Sequence, residues 1–266
     1  MNTTRIYAIF IRQIFILRDN PIRLIPYFLW AILDIILWGF ITKYLNAVGN
    51  PAISFIPTLL GAVLLWDFLV RVHIGVTMPF LEDVWSKNFL NIFASPLLVS
   101  EYMIGFVLTS IVTSFAGLVV MLILAGGLFG LSLLQLGLLL FPFILILFLF
   151  GVALGILGAG LILRFGPSAE WLVWPIPAVL GPFVGIFYPV SVLPPWMQLV
   201  SYVLPPTYVF EGMRSAILSG TFSSTALLAG VALAFIYIAL AYAFFVFIYR
   251  RVVRDGLIAR FDAEGA

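Results

Sequence analysis

Three ionisable residues stand inside long apolar runs. Asp34 lies in FLWAILDIILWGF, and Asp67 and Arg71 lie in LLWDFLVRV. Charge in lipid is expensive, so such residues mark a polar network, a substrate path or a proton relay. Asp67 and Arg71 are four residues apart and can pair on one helix face. If the two runs cross a membrane in opposite directions, Asp34 falls near the level of Asp67. Three roles follow for Asp34, Asp67 and Arg71: a network that fixes helix packing, direct substrate contact, or a proton site. The last defines a secondary carrier, but no inverted repeat of the kind such carriers often have is evident.

Other chemistries are excluded by what the chain lacks. A P-loop needs G-x-x-x-x-G-K-[ST] to cradle phosphates, yet the only lysines are Lys43 and Lys87 and neither completes it. ATP hydrolysis, if it drives this protein, belongs to another polypeptide. There is no cysteine and one histidine, His73, which excludes disulfides, thiolate metal sites and His-rich metal sites. Neither G-x-S-x-G nor H-E-x-x-H occurs. The reading is therefore not an enzyme and binds no cofactor or metal of its own; His73 reads as structural.

The elements that position these charges are membrane spans. The 266 residues are 64% hydrophobic and 9% charged, with mean hydropathy +1.22. A soluble domain has about 25% charged residues; too few remain here to coat a wet surface. A net charge of +2 gives no nucleic-acid signal. A span needs about 20 apolar residues, and six candidates emerge: 24–44, 53–76, 102–125, 136–163, 171–188 and 225–249. The fold class is all-α and polytopic. Residues 1–21 form an N-terminal interfacial helix, because Arg5, Arg12 and Asp19 recur every seven residues while Ile6, Phe10, Ile14 and Leu17 lie on another face. That stretch lacks the small-residue cleavage site of a signal peptide. The single domain then divides into spans one and two (24–76), a polar cytoplasmic loop (77–101), spans three to five (102–188), an outer segment (189–224), span six (225–249) and a tail (250–266).

Basic residues set the direction. With the N-terminus inside, Arg5, Arg12, Arg18, Arg23, Lys87, Arg164, Arg250, Arg251, Arg254 and Arg260 are cytoplasmic, and only Lys43 and Arg214 are outside. This asymmetry follows the positive-inside rule. Both termini are cytoplasmic, and residues 189–224 lie outside.

That outer segment contains FYPVSVLPPWMQLVSYVLPPTYVFEGMRSAIL. Proline ends a helix but suits the start of the next. Pro194-Pro195 and Pro205-Pro206 thus predict two short helices, about 195–203 and 206–218, that dip into the outer leaflet and return. Trp196, Tyr202 and Tyr208 suit the headgroup region, and Glu211 and Arg214, three apart, can pair. Gly151, Gly155, Gly158 and Gly160 permit close helix approach, either within the chain or at a dimer seam.

This outer segment resembles the stretch before the last span in the membrane subunits of ABC type-2 exporters, the permease family that covers drug, lipid, polysaccharide and nodulation-factor exporters. A second likeness is LEDVWSKNFLNIFASPLLVSEYMIGFVL, residues 81–108, where that family places a cytoplasmic coupling helix, a Ser-Pro turn and a polar residue before the third span. The resemblance implies that Glu82, Asp83, Lys87, Ser95, Pro96 and Glu101 contact an ATPase. It implies that Pro194, Pro195, Trp196, Pro205, Pro206, Tyr208, Glu211 and Arg214 form re-entrant helices at an outer gate. It further implies a bacterial inner-membrane homodimer with two cytoplasmic ABC ATPase subunits, which would hold ATP and Mg, and export of an amphipathic substrate. Lipid-linked glycan, lipo-oligosaccharide and hydrophobic drug all remain open.

Overall fold

A computed structural model describes residues 1–19, 22, 24–48, 56–86, 91–92 and 95–255. It is all-helical among those residues. α1 is Thr3–Asp19, α2 Leu24–Val48 and α3 Gly61–Trp85, entered through a π-turn at Ile56–Leu60. α4 is Val99–Phe129 and α5 Leu140–Phe165. The short α6 (Glu170–Val173) and α7 (Ile176–Leu180) precede α8 (Pro195–Val203), α9 (Pro205–Ser219) and α10 (Ser224–Arg254). Five of these helices are long and apolar enough to cross a membrane. The chain is a multi-pass membrane protein.

α3 is the axle of the bundle. In its most apolar window 72% of residues are buried, against 22% for both α2 and α10, so α2 and α10 present most of their surface outward. Close approach to α5 makes that burial possible. A Cβ at Gly155 would stand 2.6 Å from Val76 Cβ, and one at Gly151 would stand 2.8 Å from Val72 Cβ. Gly151, Gly155 and Gly158 therefore serve packing within the chain, and Gly160 faces Phe244 of α10.

The expected fifth span is not one helix. Residues 170–188 fold as α6, α7 and a series of turns, because Pro175, Pro177 and Pro182 remove backbone donors and Gly185 turns at φ +75°. This broken segment nonetheless follows α3. Glu170 and Val173 share a small cleft with Leu81 and Thr77, and Phe187 shares another with Val63 and Trp66. The intervening length of α3, from Leu81 to Val63, is about 27 Å at 1.5 Å per residue. The polar loop also starts later than the composition suggests, since α3 continues to Trp85.

The bundle has two distinct ends. At one, α1 meets the last turns of α3 and the first of α4, and Phe80 packs edge-on against Phe245 of α10 at 5.9 Å. At the other, the sulfur of Met213 on α9 approaches Gly61, while Phe143 and Leu227 approach Gly212.

Candidate functional site

The first end is held by side chains far apart in sequence. Asp83 is 2% exposed and accepts both ends of the Arg12 guanidinium fork, with Nη1 to Oδ2 at 2.8 Å and Nη2 to Oδ1. Tyr102 Oη donates to the same Oδ2 at 2.7 Å. One carboxylate thus joins α1, α3 and α4. The bidentate geometry raises the Arg12 pKa above its usual value, chiefly through the Asp83 hydrogen bond and against partial burial. A raised base pKa contributes stability that is fully present below the unfolded value and lost as pH rises through the folded one, so Arg12 stays charged across any physiological pH.

Glu101 performs a second tie. It is buried, accepts from the Leu98 amide at 3.1 Å and so caps α4, and accepts from the Asn2 amide at 2.6 Å. Arg5 Nη1 lies 3.6 Å from its other oxygen contact and donates to the Pro96 carbonyl. The side of α1 turned into the bundle accordingly carries Ile9 and the polar Gln13, both buried, and Gly105 of α4 gives Ile9 room: a Cβ there would stand 2.5 Å from Ile9 Cγ2.

These contacts revise the reading of the cytoplasmic loop. Asp83 and Glu101 face inward as ties for α1 and are not solvent-facing contact residues. Glu82 is half-buried and lines an internal cavity. Ser95 and Pro96 are exposed and, with Asn91, Ile92 and Leu97, face α1 across an open groove of about 570 Å³. Lys87 lies outside the described residues. Trp85, at the end of α3, and Leu98, just before α4, are 49% and 51% exposed.

Asp34, Asp67 and Arg71 line one cavity of about 580 Å³, enclosed by α1, α2, α3, α4 and Trp174. Asp67 and Arg71 do not come within ion-pair distance. Gly117 leaves a notch in α4, and the guanidinium lies in it, with Nε 3.3 Å from Met121 Sδ and Cζ 5.8 Å from the Phe28 ring centre. Asp67 Oδ2 is buried and has no hydrogen-bond partner. A second cavity of about 260 Å³ adjoins the first and shares Asp34, Asp67 and Trp174, adding Trp38 and Trp66. His73 is buried in its wall.

At the far end, α8 and α9 begin at Pro195 and Pro205, with Leu204 extended between them (φ −93°, ψ 120°) as a residue before proline must be. Pro205 and Pro206 are buried and Pro194, Pro195 and Trp196 are exposed. Glu211 Oε1 accepts from Arg214 Nη1 at 2.6 Å and from the Val190 amide at 3.0 Å. Arg214 Nη2 donates to the Gly185 carbonyl at 2.8 Å. The pair therefore pins the end of the broken segment to α9. Tyr208 Oη donates to the Tyr202 carbonyl at 2.8 Å, closing the α8–α9 corner.

Long apolar helices, the α1 tie and two proline-started helices form one architecture, and a family model described as ABC-2 type transporter matches residues 6–218. The chain belongs to the ABC-2 type transporter family. No curated protein matches it as a relative. The family association implies ABC ATPase subunits as partners of this ABC-2 chain in general. The match spans α1, both cavities and the Glu211–Arg214 pair, and ends at the last turn of α9.

Sequence reasoning missed Arg12, Tyr102 and the tryptophans. Arg12 and Asp83 are 71 residues apart and nothing local links them. The tryptophans did leave a signal: Trp30, Asp34 and Trp38 recur every four residues, which puts them on one helix face.

Proposed function

We propose that this ABC-2 chain is the permease subunit of an ATP-driven exporter in a bacterial cytoplasmic membrane. Two copies would pair, and two cytoplasmic ATPase subunits would bind them; this chain, with no P-loop, would hydrolyse nothing itself. The polar end with Arg5, Arg12, Arg18, Arg164, Arg250, Arg251 and Arg254 is the cytoplasmic one by the positive-inside rule. The broken segment counts as a sixth crossing because it runs beside α3 over most of that helix's length, which keeps both termini cytoplasmic. α8 and α9 then form the re-entrant outer segment. Tyr208 near the start of α9 sits beside Gly230, about two turns inside α10, as a dip into the outer leaflet requires.

One observation supports coupling most directly. The open groove lined by Ile92, Ser95 and Pro96 borders α1, and α1 is tied to both α3 and α4 through Asp83 and Glu101. A push on this surface reaches two spans through charged contacts. Coupling requires a contact that differs between states, and an ATPase seated here supplies one. Substrate is amphipathic on this reading. Replacing exposed Trp85 and Leu98 together with alanine tests it: ATPase copurification and export should fall while the permease still inserts. Full export with normal ATPase retention would refute the contact. Export that survives deletion of every candidate ATPase would refute the exporter reading and favour a proton-coupled carrier.

A further inference from the structure

Four of the seven tryptophans, Trp30, Trp38, Trp66 and Trp174, line the two adjoining cavities that also hold Asp34 and Asp67. Trp38 and Trp66 are half-buried, and Trp30 and Trp174, 68% and 47% exposed, stand toward the open side. Aromatic faces attract cations through their quadrupole, most strongly for tryptophan and more so when the cation is desolvated. Carboxylates attract the same charge.

The formal charge of the residues lining the chamber is net negative. Asp34, Asp67 and Glu82 face it, against Arg71 alone among the described residues. Arg71 is turned toward Met121 and Phe28, and the buried Asp67 Oδ2 has no partner. A buried carboxylate oxygen without a donor is a costly arrangement, and a cation in the chamber would offset it.

The remaining walls decide what kind of cation. Val70, Ile74, Met78 and Leu17 are apolar. Of the hydroxyls, Thr109 donates to Gly105 and Thr113 to Thr109 carbonyls of their own helix. Few groups remain to replace the hydration shell of a metal ion or the hydroxyls of a sugar. A bulky organic cation needs no such replacement. The larger volume, about 580 Å³, lies in the range of small-molecule pockets, about 300–1,000 Å³, and the smaller, about 260 Å³, extends it.

We propose that this chamber binds lipophilic monovalent organic cations, with Asp34 and Asp67 holding the charge and the tryptophans the apolar substituents. As a binding site it stands on the geometry alone; as the cargo site it rests on the exporter reading, and among the open substrate classes it selects cationic hydrophobic compounds over anionic lipid-linked glycans.

The test uses the full chain in neutral-lipid nanodiscs, with quenching of tryptophan fluorescence as readout. Tetraphenylphosphonium and tetraphenylborate share size and shape and differ in sign. The phosphonium should bind saturably and the borate should neither bind saturably nor compete. Asp67→Asn and Asp34→Asn should each weaken phosphonium binding by about tenfold or more. Asp67→Glu, which keeps the charge, should retain most of it, and this contrast separates lost charge from lost fold. Equal saturable binding of both ions, or equal affinity in the wild type and both asparagine variants, would overturn the site. No ATPase takes part, so failure of export leaves this result standing, and failure here leaves ATPase coupling standing.

Discussion

The Arg12–Asp83–Tyr102 tie makes an asymmetric prediction, because its partners are unequally buried. The Asp83 side chain is 3% exposed and that of Arg12 is 29% exposed. Arg12→Ala leaves a buried carboxylate with only the Tyr102 hydroxyl. Breaking a buried pair in this way costs about 3–5 kcal/mol. Water can follow into the space that the partly exposed Arg12 vacates, so the lower end, about 3 kcal/mol, applies. Asp83→Ala strands the arginine instead, but a long arginine side chain can swing its head to the interface. The loss is then mainly that of the buried Tyr102 hydroxyl, about 1–3 kcal/mol and here about 2. The aspartate substitution should therefore be the milder one, although it removes the central acceptor.

Undocking of α1 reports both effects. Phe15 is 51% exposed on α1 and becomes cleavable by chymotrypsin once the helix leaves the bundle. When reclosing outpaces cleavage, the rate follows the open population. About 2 kcal/mol corresponds to a rate increase of about 30-fold, and about 3 kcal/mol to more than 100-fold. The double variant Arg12→Ala/Asp83→Ala should be cleaved well below the product of the two single effects, since neither buried charge remains. Equal rates in the single variants, or strictly additive free energies, would refute this account of the tie.

Packing at Gly155 should fail on substitution: Gly155→Ala gains about 1 kcal/mol of helix propensity but places a Cβ 2.6 Å from Val76, and overpacking of about 1–3 kcal/mol outweighs it. Gly127→Ala meets nothing within 4 Å and should be neutral or slightly stabilising in the same thermal-unfolding assay. Single cysteines at Ser191 or Ser223 should react with a membrane-impermeant thiol reagent in intact cells and one at Ser86 should not; all three are exposed, so labelling reports sidedness, and reaction at Ser86 would reverse the orientation. Arg214→Lys should loosen the 185–190 turn, measured as faster proteolysis there, because one ammonium cannot reproduce the fork that bonds Glu211 and the Gly185 carbonyl; an unchanged rate would show that the fork is dispensable.

Much of the fold was legible because its signals are local. Proline placed the starts of α8 and α9 within a residue, and Glu211 and Arg214, one helical turn apart, do pair. Length and hydropathy located five of the long helices. The fifth expected span failed for a reason also visible in its letters: apolar content satisfied the criterion while Pro175, Pro177 and Pro182 denied the helix its donors. Tertiary choices were less accessible. Asp67 and Arg71 have ideal spacing, yet Gly117 on another helix offers the guanidinium a better place. Asp83 looks like a loop charge until Arg12 and Tyr102 are brought to it. Lys87, and the tail with Arg260, lie outside the described residues.

The two candidate sites share one helix. α3 bears Asp83, bound to α1, near its C-terminal end, and Asp67 and Arg71 in the chamber wall. From Asp83 to Asp67 is about 24 Å of helix. Pro79 lies between them, and proline inside a helix removes a backbone hydrogen bond and favours a bend. If ATPase closure pulls on the α1 tie, α3 can respond by pivoting at Pro79. Gly151 and Gly155 hold the turns beyond Pro79 against α5, so movement concentrates below them. Glu82, on the moving side, lines the chamber together with Met78 and Asp67 on the held side. A pivot there would change the chamber's width without moving the carboxylates on which a cation rests. Pro79→Ala should then straighten α3 and uncouple ATP hydrolysis from transport, while tetraphenylphosphonium affinity stays within about twofold. Pro79 itself lines the chamber, so loss of binding together with coupling would show that it shapes the site and would refute the pivot.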